Sequence, residues 1–107
     1  GLAMKRGEVW RAEQPQPIGK RPVVLLSRDE AYKVRNAVTI AQITTTIRQI
    51  PVEVPLSEKD GLPQKCVANL DTVTTIRKSL LTQRICALAP EKIRQIDGAL
   101  KFALDLD

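Results

Sequence analysis

The 107-residue chain contains no histidine, and that absence narrows its chemistry more than any residue present. It removes the usual neutral-pH general base, the commonest metal ligand, and every Ser-His, Cys-His or paired-His mechanism. Cys66 and Cys86 match no CxxC spacing, and each stands among apolar, strand-like neighbours. Both therefore read as buried small hydrophobes rather than as a disulfide or a metal site. What remains is cationic. Seventeen Lys and Arg against twelve Asp and Glu give a net charge of +5, which attracts an acidic partner over long range, nucleic acid first among them. Arg21 is one of these cations, and taken alone an arginine is more often exposed surface or part of an ion pair than a functional group. Its guanidinium stays charged at any working pH, offers a fixed fork of donors to phosphate-type oxygens, and stands where a loop meets a rigid strand.

The elements that must hold such a residue can be read along the chain. Gly7 to Glu13 mixes Val9 and Trp10 with charges, a strand whose two faces meet different environments and whose inward face is ambiguous. Gln14 to Lys20 carries two prolines and a glycine and reads as an exposed loop. Arg21-Pro22 then opens Val23 to Ser27, an apolar run suited to a central strand covered on both faces, with Pro22 tolerated at its first position. Arg28 to Asn36 is a polar connection with room for a helical turn. Ala37 to Thr46 returns to strand character, and Val52 to Leu56 alternates, with Pro55 marking an edge. A turn-rich loop, Glu58 to Gln64, precedes two further strands, Cys66 to Ile76 and Leu80 to Leu88. After Pro90 the period changes: Ile93, Ile96, Leu100, Ala103 and Leu104 fall at helical spacing.

Length and composition set the outer bounds. The hydrophobic fraction of 43% and charged fraction of 27% are those of a folding chain, and its length fits one domain. With only Trp10, Tyr32 and Phe102 aromatic, the core must be aliphatic. No apolar run approaches the length of a bilayer span or a signal-peptide core, so a cytoplasmic protein without membrane contact is expected. Gly1, Leu2 and Ala3 precede Met4, the expected native start, and read as an appended remnant; residues 4–107 read as a single domain. Several short strands followed by one helix suggest a small antiparallel barrel or curled sheet with the helix packed on it.

Lys5-Arg6-Gly7-Glu8-Val9-Trp10, then Pro17, Gly19 and Arg21-Pro22-Val23-Val24-Leu25-Leu26-Ser27, resemble the opening of the MazF/PemK family of toxins from toxin–antitoxin modules. Ala41-Gln42-Ile43-Thr44-Thr45 is similar to that family's third strand, and Val67 to Ile76 to a later core strand. The resemblance implies a mainly β, α+β fold: an SH3-like antiparallel barrel with a C-terminal amphipathic helix. It also implies a homodimer and a metal-independent, cofactor-free endoribonuclease that cuts single-stranded RNA at short sequences and is held by a cognate acidic antitoxin. RNA brings its own nucleophile, the 2′-hydroxyl, which suits a chain without histidine.

By the same resemblance Arg21 and Thr44 match the catalytic residues, Thr45 and Thr46 being Thr44's neighbours in one run. Asp71 aligns with an acid that some members use near the cleavage site, as a base or as an RNA contact. One branch places an arginine two residues before that acid. Asn69 stands there in this chain, so that pair is not carried over, and Asp71 is assigned to recognition or positioning. Lys20, Glu13 and Thr72 complete the expected groove lining. Two other readings remain: a toxin of the same fold that binds a protein such as gyrase, and a plain RNA-binding barrel. The gyrase-poisoning relatives depend on a Trp-Gly-Ile C-terminus, whereas this chain ends Leu104-Asp105-Leu106-Asp107. RNA-stacking barrels use several aromatics, of which this chain has few.

Overall fold

The computed structural model describes residues 3–107, so Gly1 and Leu2 of the segment read as a remnant lie outside the described residues. The elements are β1 (Glu8–Glu13), β2 (Lys20–Leu25), α1 (Ala31–Val34), β3 (Ala37–Thr44), β4 (Glu53–Leu56), β5 (Cys66–Arg77), β6 (Leu81–Ala87) and α2 (Pro90–Ala103). The strands form one antiparallel sheet in the order β4-β5-β3-β2-β1-β6. β4 and β6 end the sheet without pairing with each other, so the expected barrel is an open, curled half-barrel. Pro55 lies exposed on edge strand β4, where a missing N–H interrupts no ladder.

Alternation along the strands supplies two cores, one per face of the sheet. Val9, Val24, Ala41, Ile43, Ala68 and Leu70 pack with Ile96 and Ala99 of α2. Trp10, Val23, Leu25, Tyr32, Val38 and Ile40 pack on the opposite face. Val23, Val24 and Leu25 are fully buried, as the apolar run predicts for a central strand. The ambiguous face of β1 is resolved in the same way, with Val9 in one core and Trp10 in the other.

Three sequence expectations are corrected. Pro22 lies at the third position of β2, facing Arg11 of β1; it is tolerated because β3 pairs only with Val23 to Leu25, leaving that side of the strand open. Gln14 is buried rather than exposed, and its loop closes on itself through Gln14 N–H to Gly19 O at 3.1 Å. Leu104 falls one residue beyond α2 and is exposed, since the buried side of the helix is satisfied by Ile96 and Ala99.

β5 carries the main irregularity. Ile40 faces Thr74 and Gln42 faces Asn69, so the two-residue advance on β3 spans five on β5. The extra residues form a bulge stapled by side chains. Asn69 Oδ1 accepts the Asp71 N–H at 2.9 Å, while the Thr72 hydroxyl donates to the Asn69 carbonyl and accepts the Gln42 N–H at 2.9 Å. The bulge reverses which residues face α2: Cys66, Ala68 and Leu70 before it, Val73 after it.

Candidate active site

β2 and β3 share a ladder only at Val23–Gln42, Val24–Ala41 and Leu25–Ile40. Beyond Gln42, β3 follows β5 through Ile43–Ala68 and Thr44–Val67. β2 instead stays with β1 through Arg21–Ala12 and Lys20–Glu13. The strands part here, and a cleft of about 620 Å³ opens between them, walled by Leu62 and Pro63 of the β4–β5 loop and by Ile85 of β6. Two residues past this last pair stand Arg21 on β2 and Thr44 on β3, each now paired to a different neighbouring strand. Both border the cleft. By alternation Arg21 continues the row of Val23 and Leu25, and Thr44 the row of Ile40 and Gln42, so they extend the same face of the sheet.

Arg21 is half-buried. Among the described residues the ion pairs are Arg6–Asp97, Lys20–Glu13 and Arg84–Glu8, leaving Arg21 without a carboxylate partner. Thr44 Oγ1 accepts the Thr46 N–H at 3.1 Å, which occupies one lone pair and leaves the hydroxyl proton free to donate. Thr45, its neighbour, is exposed at the rim.

The cleft is lined by four cations, Arg11, Lys20, Arg21 and Arg84, and by no carboxylate. Such an arrangement concentrates positive potential against low-dielectric walls and suits a polyanion. Cys66 also borders it; burial, with Asp60 adding, pushes its thiol up from the ordinary value, so at neutral pH it is a protonated wall residue rather than a nucleophile. Cys86 is half-buried and shifted upward for the same leading reason, and both cysteines are free.

The structure therefore brings Lys20, Arg21 and Thr44 together. Glu13 stands outside the cleft, exposed and paired with Lys20 at 3.4 Å. Asp71 is exposed on the β5 bulge away from the cleft, and the Thr72 hydroxyl is committed to stapling that bulge.

Other contributors were not singled out from the sequence. Gln14 and Gln42, both buried, form a reciprocal amide pair at 3.1 and 2.6 Å. This pair clamps the loop leading to Arg21 onto β3 two residues before Thr44. Its one sequence signal is a polar residue between Ala41 and Ile43, in an otherwise apolar strand. Gly61, at φ +103°, presses the β4–β5 loop onto β6: a Cβ there would lie 2.6 Å from Cys86 Cβ. The loop begins on a capping box in which the Asp60 carboxylate accepts the Ser57 N–H at 3.0 Å and Ser57 Oγ accepts the Lys59 N–H at 3.3 Å.

Comparison with known proteins follows the same lines. The chain is 42% identical over 101 residues to the probable endoribonuclease MazF5 of Mycobacterium tuberculosis, covering 94% of this chain and 92% of that protein. Among solved structures it is similar to the Mycobacterium tuberculosis toxin MazF-mt6, with TM-score 0.86, 32% identity, and 94% and 98% of the two chains covered. It is also similar to a mycobacterial endoribonuclease in complex with its cognate antitoxin, with TM-score 0.87, 30% identity and 98% of each chain covered. The model of the PemK-like, MazF-like toxins of type II toxin-antitoxin systems matches residues 5–104, and the chain belongs to that family.

Proposed function

We propose that this chain, an endoribonuclease toxin of its family, cuts single-stranded RNA at short sequences through attack of the substrate's own 2′-hydroxyl. The 2′-oxygen loses its proton and bonds to phosphorus, the bond to the 5′-oxygen breaks, and that oxygen takes up a proton. The products are a 2′,3′-cyclic phosphate and a 5′-hydroxyl. Arg21 offers paired donors to the non-bridging phosphate oxygens as their charge grows, and Thr44 donates its free hydroxyl proton to the same group. Lys20 supports the backbone beside them. Asp71, exposed on the bulge, and Glu13 serve recognition further along the strand, with Thr72 holding the bulge that carries Asp71.

The observation that carries this reading is the half-buried, carboxylate-free Arg21 sharing with Thr44 a cleft lined only by cations and neutral residues. Pairing of two copies would join two such clefts into a longer groove. The cognate antitoxin of this toxin presents a flexible acidic segment that covers the cleft and competes with RNA. The protein works in the cytoplasm, with its RNA targets; no helix of the described residues is long and apolar enough to cross a membrane.

The test is a long mixed-sequence RNA incubated with the protein, its cut sites mapped and its ends analysed. Cyclic phosphate ends, cutting that persists in chelator, and loss of cutting when the target nucleotide is 2′-deoxy are expected. Cutting of the deoxy substrate would overturn the mechanism.

A further inference from the structure

Glu8 is a carboxylate only 5% exposed. Its Oε1 accepts the Lys5 N–H at 2.9 Å and the Trp10 indole N–H at 3.1 Å. Its Oε2 accepts from Arg84 Nη1 at 3.2 Å. A buried anion held by three donors is a fixed point of the fold, and whatever its last partner does is aimed by it. Arg84 differs from Glu8 in exposure: its side chain is 60% exposed against 6% for the carboxylate. One nitrogen is anchored, and the rest of its five-donor fork is unengaged.

Arg84 also borders the cleft. In the sheet it stands opposite Trp10, and Trp10 opposite Val23, two residues from Arg21 along β2. Two strand spacings, about 10 Å, therefore separate the β6 backbone at Arg84 from β2. Of the three guanidiniums that line the cleft, Arg11 and Arg21 have no carboxylate partner among the described residues, and Arg84 alone is anchored by one.

We infer that Arg84 binds a phosphate of the RNA flanking the scissile one, and that Glu8 is the positioning residue that holds it there. This rests on the RNA-cleaving reading of the cleft and assigns a residue on its opposite side. The chemistry matches: a guanidinium with one edge fixed by a buried carboxylate presents its other edge to an oxyanion at little further cost in side-chain freedom.

The experiment measures binding of short single-stranded 2′-O-methyl RNA of randomised sequence across a salt series, with cleavage of unmodified RNA in parallel. The methylated probe has no 2′-hydroxyl, so binding is read whether or not the chain cuts. If unmodified RNA stays intact while the probe binds, the cleavage reading fails and the Arg84 assignment is still tested. Arg84→Gln should weaken binding about tenfold, the weight of one charge-assisted hydrogen bond. It should also flatten the salt slope by about 0.7, one single-strand phosphate contact. KM should rise while kcat at saturating RNA stays unchanged. Glu8→Gln should weaken binding with the slope retained, because the cation remains but is no longer aimed. If Arg84→Gln misfolds with Glu8 orphaned, the double variant Glu8→Gln/Arg84→Gln removes both charges and should show the same loss of slope. A folded variant lacking Arg84 that keeps wild-type affinity and salt slope overturns the assignment.

Discussion

Arg21 and Thr44 border one cleft from two strands that have just parted: the β2–β3 ladder ends at Val23 and Gln42, and these two lie two residues further along each strand. Each is held by its other neighbour, Arg21 opposite Ala12 of β1 and Thr44 opposite Val67 of β5. The sheet supplies rigidity up to the pair, and the parting of the strands supplies the space between them.

Arg21→Ala should lower turnover on RNA about a hundredfold or more, the effect of removing one preorganised donor to a developing oxyanion. Circular dichroism and the thermal midpoint should stay close to wild type, because Arg21 has no carboxylate partner to orphan. Arg21→Lys should also be slow, since a point charge does not reproduce the paired donors. Near wild-type turnover in a folded Arg21→Ala variant would place the chemistry elsewhere.

Thr44→Ala should reduce the rate roughly tenfold to a hundredfold, as expected for losing a hydrogen bond to a charged group. Thr44→Ser keeps the hydroxyl that the Thr46 N–H orients and should retain most activity. Thr45→Ala, at the exposed rim, should change little. Single-turnover rates of the three variants separate an active hydroxyl from general loosening of the strand end; equal losses at Thr44 and Thr45 would contradict the assignment.

Much of this geometry is legible in the sequence because local patterns dictate it. The apolar run from Val23 suits a strand buried on both faces, and Pro90 followed by helical spacing suits a helix start; β2 and α2 form there, with Leu26 just past the strand. The six strands follow from such signals, with some ends unchanged and others displaced by up to three residues. Sequence does not reveal where two strands separate, because parting depends on what each finds beyond its partner. β3 finds β5, and Lys20 to Pro22 find only β1. The β5 bulge is invisible for a related reason: its staples join Asn69, Thr72 and Gln42 across thirty positions of chain. Hence Asp71 and Thr72, although within a strand motif, lie outside the cleft. Arg84 carries no motif, and its pairing with Glu8, seventy-six positions away, is set by the β1–β6 register.

Tyr32 provides a pH test. Burial, with Asp29 adding, raises its phenol from 10.0 to about 12. The folded state therefore favours the neutral phenol. Its contribution to stability is complete below about pH 10, where the unfolded chain also keeps the proton, and is lost as pH rises through about 12. Tyr32 is the sole tyrosine, so phenolate absorbance reports this group alone. It should titrate late in the native protein and near its ordinary value in denaturant. Coincident titrations would show that the phenol is not held away from water.

Two glycine substitutions should move stability in opposite directions. Gly61 sits at φ +103°, and a new Cβ would lie 2.6 Å from Cys86 Cβ. Gly61→Ala should therefore cost about 1–3 kcal/mol from backbone strain, with the clash added, and it should lift the wall formed by Leu62 and Pro63 away from the cleft. Gly98, inside α2, carries no unusual φ, and a Cβ added there would meet nothing within 4 Å. Gly98→Ala should stabilise by about 0.5–1 kcal/mol through lower backbone entropy in the unfolded chain. Denaturant midpoints measure both. Cleavage assayed well below each midpoint should then fall for Gly61→Ala alone, because only that glycine lies in the chain that walls the cleft. If Gly61→Ala kept both its midpoint and its rate, the close packing of this loop on β6 would not be a feature of the protein in solution.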